Sequence, residues 1–167
     1  MNTFTERCLD MQGFAYLSRE QKARLAPALR FTPAACTSLV MAGLVLRSPL
    51  LLAATAAFAL VGSLLPRAHP LDLLYNRALR PILRGPALPP NPAPRRFAAG
   101  IKSVPLFIAA AALQAGYGPI AFAIGLFLAT VGAVAAITCW DMGSWLYRIA
   151  VVRSVAAFRR AGKAESM

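Results

Sequence analysis

The stretch that decides the fold class is GPIAFAIGLFLATVGAVAAITCW, residues 118–140. It carries no charged side chain and matches the roughly 20 residues that an α-helix needs to cross a bilayer core. Hydrophobic residues make up 58% of the 167 residues and charged residues only 14%, whereas about a quarter of the residues of a soluble domain are charged. The apolar residues come in blocks that do not alternate as strands do. The sequence therefore predicts an all-α integral membrane protein.

Three further apolar segments precede this one, so four spans are predicted at about residues 32–46, 50–65, 98–115 and 118–140. The first two are short and are joined by the turn Arg47-Ser48-Pro49. They either cross the bilayer as short helices while it thins locally, or form a re-entrant hairpin that does not cross. We favour crossing. The expected fold is two helical hairpins with both termini on the same side of the membrane.

The two ends of the chain are predicted to lie outside the membrane domain of residues 32–147. Residues 1–31 are expected to contain a short surface helix, because Ser18 and Gln21 fit a capping box in which each satisfies a free backbone donor. This helix is expected to end near Pro27. Residues 148–167 form a basic tail.

The middle loop, residues 66–97, falls into two halves. The first half predicts an amphipathic helix in the membrane interface, because its apolar and basic residues separate onto two faces at helical spacing. Pro81 is expected to kink or split this helix. The second half, GPALPPNPAPRRF, contains five prolines and is expected to be an extended strap without regular structure.

Lysine and arginine residues set the predicted orientation. All 18 of them except Arg47 belong to segments on the side of the two termini. Such residues accumulate on cytoplasmic loops, so both termini and the middle loop are predicted to be cytoplasmic. The net charge of +12 is then explained by topology, because the basic residues collect on one face, where they contact anionic lipid headgroups. No nucleic-acid binding is predicted.

Two groups of residues are candidates for contacts with lipid or with other helices. The basic and aromatic residues expected at the membrane interface are Arg77, Arg80, Arg84, Arg95, Arg96, Trp140, Trp145, Tyr147 and Arg148. Small residues at every fourth position let helices approach closely in lipid. Here they are Gly125, Ala129 and Ala133, which serve either the internal bundle or the helices of another protein. The segment ITCWDMGSWLYR, residues 137–148, is accordingly interpreted as a membrane exit and not as an active site.

The predicted spans offer few groups that could carry chemistry. No Asp, Glu, Lys, Arg or His lies in the middle of a span, and Lys102 and Asp141 are expected at ends that water or headgroups reach. The single histidine, His69, lies beside Pro70 and is expected to be a solvated loop residue. No catalytic residue, metal-ligand set or cofactor is predicted.

Several short pieces of sequence occur in a recognisable order along the chain. They are Arg30-Phe31 before the first span, SPLLLAA at 48–54, His69-Pro70-Leu71, Leu74-Tyr75 and Arg80-Pro81 in the middle loop, and Arg96-Phe97-Ala98 before the third span. Over about residues 28–147 these pieces resemble a bacterial family of small four-helix integral membrane domains of unknown function. The resemblance implies a last helix that ends in Cys-x-x-Cys, a motif suited to thiol redox work or metal binding.

This chain departs from that motif. Cys139 is present, but Met142 stands three residues further on, so the intramolecular disulfide of the motif cannot form and redox activity is expected to be absent. The other two cysteines, Cys8 and Cys36, are expected near the reducing cytoplasmic side. No structural disulfide is therefore predicted.

Three functions remain open from the sequence. The leading hypothesis is a non-catalytic accessory subunit of a larger respiratory or photosynthetic membrane complex. It would contribute helix packing and cytoplasmic contacts. The alternatives are a thiol- or quinone-linked membrane redox protein that uses Cys139, and a small-solute membrane transporter.

Overall fold

The computed structural model describes residues 1–152, and all of its regular structure over those residues is helical. The helices are α1 Thr3–Leu9, α2 Arg19–Leu29, α3 Phe31–Val45, α4 Pro49–Leu64, α5 Pro70–Leu74, α6 Arg80–Leu83, α7 Ala93–Gln114, α8 Gly118–Thr138 and α9 Met142–Tyr147. Single π-helical turns occupy Tyr75–Leu79 and Arg148–Val152, and Asp10–Phe14 is an irregular turn that kinks at Gly13. Most of the basic tail, residues 153–167, lies outside the described part of the chain.

Helices α3, α4, α7 and α8 form a closed four-helix bundle. Helix α3 packs on α4 and α8, and α7 packs on the same two helices. The interior contains small and branched apolar side chains, among them Val40, Leu44, Leu52, Ala56, Leu106, Ala109, Ala110 and Ala129. The bundle has two ends. At the turn end, Arg47 lies in the turn between α3 and α4, and Gly116 lies in the turn between α7 and α8. At the basic end, α3 begins and α8 ends.

The small residues of α8 serve this internal packing. A Cβ added at Gly125 would lie 2.8 Å from both methyl carbons of Leu44 on α3, so only glycine allows the two helices to approach this closely. Ala129 is buried in the same core, and Ala133 is half-buried. Of the small residues predicted to pack helices together, Gly125 and Ala129 thus pack within the bundle.

Three helical stretches are long and apolar enough to cross a membrane: Arg19–Val45, Ala93–Gln114 and Gly118–Thr138. The fourth apolar helix, α4, has 16 residues and is shorter than a standard span. Many large apolar side chains face outward on these helices, including Val104, Ile108 and Phe127. An apolar exterior of this kind suggests a membrane protein, as predicted.

Helix α2 begins at the predicted capping box. The Gln21 backbone N–H donates to Ser18 Oγ (3.3 Å), and the Ser18 N–H donates to Gln21 Oε1 (2.9 Å). The predicted end near Pro27 is wrong, because the helix continues to Leu29 and runs almost directly into α3. Its residues Leu25 and Leu29 are buried in a second core, which favours continuation over the break.

The middle loop splits as expected, but its faces differ from the prediction. The chain forms α5, a π-helical turn and α6, with Pro81 in the first turn of α6. Leu71 and Tyr75 are buried, whereas Leu74 and Ile82 are exposed. The apolar stripe therefore divides into one part that packs on the protein and another that faces outward.

The strap is shorter than predicted, because α7 begins at Ala93 rather than near residue 98. Pro94 lies in the first helical turn, where its missing N–H costs nothing. The remaining strap is fixed by side chains: Asn76 accepts from the Leu88 N–H (2.8 Å) and donates to the Leu88 carbonyl (3.1 Å).

The N-terminal segment, Thr3–Phe14, closes the basic end of the bundle. Leu9 and Phe14 are completely buried against the second core. Gly13 adopts φ +101° and packs on Pro92 so tightly that a Cβ would lie 2.6 Å from the proline Cβ. Gln12 donates from its side-chain amide to the Cys139 carbonyl at 2.5 Å, which ties this segment to the end of α8.

Candidate functional site

A cavity of about 120 Å³ lies inside the bundle, nearer the basic end. Val40, Leu106 and Leu128 line it towards the turn end, and Gln12 lines it towards the N-terminal segment. Its polar lining residues are Gln12, Thr32, Cys36, Thr37, His69, Asn91, Arg95, Lys102, Cys139 and Asp141. This concentration of charge and hydrogen-bonding groups inside an otherwise apolar bundle makes the cavity the candidate functional site.

An ion pair between Lys102 and Asp141 forms one wall of the cavity. The Asp141 side chain is only 10% exposed and also accepts from the Ser144 backbone N–H (3.0 Å) and hydroxyl (2.7 Å). Burial by itself raises the pKa of the Asp141 carboxyl, but Lys102 and Ser144 outweigh it and hold the pKa below its ordinary value of 3.8. The expectation that water or headgroups reach Asp141 is therefore wrong.

The segment 137–148 turns back onto the bundle instead of simply leaving a membrane. Helix α8 ends at Thr138, and Cys139 adopts a left-handed conformation (φ 60°) that reverses the chain. Asp141 then caps the first turn of α9, which packs on α7. The membrane exit stays a prediction, and the segment in addition places Cys139 and Asp141 on the cavity wall.

A second carboxylate, Asp72, lies buried next to the cavity and is fully engaged. One of its oxygens accepts from the Thr32 hydroxyl and the other from the Asn91 side-chain amide, at 2.6 Å. These bonds join α3, α5 and the strap, so Asp72 fixes three elements around the mouth of the cavity. It has no oxygen left without a donor.

His69 lines the cavity and is buried, so the expectation of a solvated loop residue is wrong. Its ring packs against Gly62 of α4, where any Cβ would lie 2.8 Å from the ring Cγ. The ring Nδ1 accepts from the Leu71 backbone N–H (3.3 Å), which caps α5. Burial lowers the pKa of the imidazole below 6.5, more strongly than the Asp72 carboxylate raises it.

This lowered pKa predicts a loss of stability in mild acid. Below pH 6.5 the unfolded His69 takes up a proton that the folded ring resists, so the free energy of unfolding falls as pH falls from 6.5 towards the folded pKa. Chemical unfolding at pH 7.5 and pH 5.5 measures the effect. His69→Asn keeps a capping side chain and should make stability nearly independent of pH over this interval; an unchanged pH dependence would contradict the assignment.

Arg95 and Thr37 carry the unsatisfied donors of the site. Within residues 1–152, Arg95 Nη1 and Thr37 Oγ1 are buried without a hydrogen-bond partner. The Arg95 guanidinium also lies 5.8 Å from the centre of the Phe14 ring, a cation–π distance. Buried donors without partners are costly and rare in folded proteins, so these two need an explanation.

The three cysteines are free thiols, and two of them meet at the basic end. Cys8 and Cys139 belong to the same buried core, and Cys139 Sγ accepts from Arg30 Nε at 3.2 Å. Burial, reinforced by the nearby Cys139, raises the pKa of the Cys8 thiol. Cys36 lies on α3 and lines the cavity.

The structure separates the residues predicted at the membrane interface into two groups. Arg77, Arg80, Arg84, Trp145 and Arg148 are exposed, and their contacts with lipid or partners stay a prediction. The others face the protein: Arg95 lines the cavity, and Arg96 donates to the carbonyls of Ser63 (2.8 Å) and Leu64 (3.1 Å) at the end of α4. Trp140 packs on the second core, and Tyr147 packs edge-on against Phe97.

Sequence reasoning missed the cavity, although one signal was present. The chain has only 6 acidic residues; Asp141 adjoins the last predicted span, and Asp72 lies in the predicted interfacial helix. An acid next to an apolar helix needs a partner, so each should have prompted a search for one. The partners Asn91 and Lys102 lie 19 and 39 residues away, and the sequence offers no way to pair them.

Comparison with known proteins gives one match. No curated protein and no solved structure matches the chain. A family model described as a domain of unknown function (DUF4395) matches residues 26–152, which covers the bundle, the middle loop and α9. This agrees with the resemblance found over residues 28–147. The chain therefore belongs to the DUF4395 family of domains of unknown function.

Proposed function

We propose that this protein captures a small polar solute in the cavity inside its bundle, the binding step of a membrane carrier. The single observation that supports this is a cavity that brings the Lys102–Asp141 ion pair, His69 and Arg95 together inside an otherwise apolar bundle. Burying charged and polar groups in an apolar bundle costs several kcal/mol unless they are paired, and ionisable groups inside a membrane domain commonly mark a solute path.

The shape of the cavity favours capture from the basic end. On the turn side the apolar layer of Val40, Leu106 and Leu128 covers it, and beyond that layer the bundle core is tightly packed. On the basic side Gln12 is one of the residues that line it. A solute that enters from the basic end would therefore be stopped by the packed core on the turn side.

The proposal includes the topology that the basic residues predict. Four spans, formed by α3, α4, α7 and α8, would place the basic end and the cavity mouth on the cytoplasmic side of a bacterial inner membrane. Cysteines introduced at the exposed Tyr117 and Arg84 test this with a membrane-impermeant maleimide on intact cells. Y117C should be labelled directly and R84C only after permeabilisation; the reverse pattern would overturn the orientation.

Solute capture is tested by thermal unfolding of the purified protein in mild detergent. The screen uses charged and neutral polar solutes of about four to six heavy atoms, since a cavity of roughly 150 Å³ accepts benzene and this one measures about 120 Å³. A solute at 100 times its Kd should stabilise the fold by about 2.7 kcal/mol. Uptake by reconstituted vesicles then shows whether a bound solute is also moved.

A matched pair of variants on α7 separates the cavity from the surface. Ala99→Leu fills the cavity, because Ala99 lines it, whereas Ala111→Leu adds the same side chain at an exposed position. Stabilisation by the solute should disappear in A99L and persist in A111L. Equal stabilisation of both variants, or none in any solute, would overturn the proposal.

We also propose a second function, docking of the middle loop on a larger membrane complex as an accessory subunit. The observation that favours it is the pair Ile82 and Leu83, which are 77% and 63% exposed beside Arg80 and Arg84. Exposed apolar residues beside cations suit either a partner or an anionic bilayer surface. Co-purification of a defined membrane complex with the wild type in mild detergent, and its loss in I82E/L83E, would support docking. If neither the wild type nor I82E/L83E co-purifies with a partner, the docking proposal falls.

A further inference from the structure

We infer that a groove on the outer surface of the bundle, between α4 and α7, binds one anionic phospholipid. The lipid phosphate lies at Arg96 and one acyl chain runs along α7. The groove has a volume of about 520 Å³, within the roughly 300–1,000 Å³ of small-molecule sites. It shares no lining residue with the cavity, so the inference goes beyond solute capture and does not depend on it.

The groove follows one face of α7. The residues that line it include Ser63, near the end of α4, and Arg96, Gly100, Ile101 and Val104 of α7. Residues three and four apart share a helix face, so the α7 residues form a continuous stripe. A Cβ at Gly100 would lie only 3.3 Å from Ser63 Oγ, and its absence lets the two helices approach closely under an open groove.

Arg96 and Ser63 provide hydrogen-bond donors where the groove reaches the basic end. Arg96 donates from Nε to the Ser63 carbonyl (2.8 Å) and from Nη2 to the Leu64 carbonyl (3.1 Å), which fixes its guanidinium at the end of α4. Within residues 1–152 Arg96 forms no ion pair, and its Nη1 and the Ser63 hydroxyl have no hydrogen-bond partner but are not sealed from solvent. A fixed guanidinium with free N–H groups is complementary to phosphate oxygens.

The rest of the groove is apolar and has the depth of one bilayer leaflet. Ile101 and Val104 are 40% and 59% exposed, on a helix that is long and apolar enough to cross a membrane. Val104 lies about 12 Å further along α7 than Arg96, at a rise of about 1.5 Å per residue. This length stays within the roughly 15 Å that is half of a hydrocarbon core. The groove therefore combines a cation at the interface with an apolar wall below it, as a phospholipid requires.

The charge of Arg96 selects among the occupants that fit such a groove. In the described part of the chain no acidic residue lines the groove, so the guanidinium has no counter-ion there. An apolar helix of a second copy or of another protein would bury this charge unpaired, which is costly. An anionic headgroup pairs with it, and basic pockets between spans on the cytoplasmic side bind such headgroups.

The experiment titrates lipid into the full-length protein, purified in mild detergent and freed of bound lipid, and counts the bound lipids by native mass spectrometry. Dioleoyl phosphatidylglycerol and dioleoyl phosphatidylcholine have the same chains and differ only in the headgroup and its charge. We expect one phosphatidylglycerol per chain to bind at least about tenfold more tightly than phosphatidylcholine, the effect of one hydrogen bond to a charged group. Glycerol phosphate, which has the phosphate without the chains, should not bind at the same concentrations.

Three variants locate the lipid in the groove. Arg96→Gln should abolish the preference for phosphatidylglycerol, and Arg24→Gln, the same change at an exposed arginine of α2, should leave it unchanged. Arg96→Lys keeps the charge but not the planar fork of N–H groups, so its preference should fall between, which keeps the test open if R96Q does not fold. Val104→Trp obstructs the apolar part of the groove and should weaken the binding of both lipids.

Equal binding of both lipids to the wild type, or the same preference in the wild type and in the Arg96 variants, would overturn the inference. Binding of glycerol phosphate as tight as that of phosphatidylglycerol would show a site for free phosphate instead of a lipid. A dimer that Val104→Trp dissociates would show that a second copy fills the groove. Each of these outcomes overturns the inference without bearing on solute capture, which the A99L and A111L variants test.

Discussion

Asp141→Asn is expected to destabilise the protein by about 3–5 kcal/mol, the usual cost of removing one member of a buried ion pair. Asparagine can still cap α9, so the substitution isolates the charge. What remains is Lys102 on the cavity wall, whose side chain is 27% exposed and has lost its counter-ion. Unfolding in detergent, followed by circular dichroism, measures the loss.

A double variant distinguishes the charge from other effects. Lys102→Met combined with Asp141→Asn removes both charges with little change in volume, and should recover most of the stability that Asp141→Asn loses. Glu20→Gln, at an exposed site on α2, is the matched control and should change stability by less than about 0.5 kcal/mol. A double variant no more stable than Asp141→Asn would show that the pair is not what holds α9.

The Lys102–Asp141 ion pair also predicts how stability changes in strong acid. The pKa of Asp141 is lowered on folding, so its contribution is fully present above its unfolded pKa of 3.8 and is lost as pH falls through the lower folded value. This window lies well below the interval assigned to His69, and the two contributions can therefore be measured separately.

Gly143→Ala is expected to have the second-largest effect, a loss of at least about 1–3 kcal/mol from overpacking. A Cβ at Gly143 would lie 2.5 Å from the Ala98 Cβ and 2.6 Å from the Ala98 Cα. Because one of these atoms belongs to the backbone of α7, no side-chain rotation relieves the overlap. Helix α9 must therefore move away from α7 and carry Asp141 away from Lys102.

The control for this prediction is Gly118→Ala, where a Cβ would meet nothing within 4 Å. It should leave the melting temperature nearly unchanged. Adding Ala98→Gly to Gly143→Ala removes the contact with the Ala98 Cβ but not the one with its Cα, so it should recover only part of the loss. Wild-type stability of Gly143→Ala itself would contradict the packing of α9 on α7.

The elements predicted well are those that a local pattern determines. Helix α8 starts at Gly118 as predicted, because a long uninterrupted apolar run needs no distant partner to be recognised. The capping box at Ser18 is equally local, since both of its hydrogen bonds join residues three apart. The turn between α3 and α4, with Arg47 and Ser48, was likewise located from its turn residues, and Pro49 begins α4.

The site was not predicted because its features depend on tertiary contacts. His69 is buried because Gly62, near the end of α4, leaves room for its ring. The bond from Gln12 to the Cys139 carbonyl joins residues 127 positions apart. Arg95 was expected at the membrane surface, as arginines beside spans usually are, and only the arrangement of α7 against the N-terminal segment turns it inward.

The left-handed Cys139 has a consequence for how the chain tolerates change. A non-glycine residue with positive φ carries a conformational cost of about 1 kcal/mol or more, and here the tie from Gln12 and the Arg30 contact hold it in place. Glycine at this position would relax the backbone but give up the thiol that Arg30 contacts. The turn is therefore expected to survive in Cys139→Gly, while the contact that links the end of α8 to Arg30 would be lost.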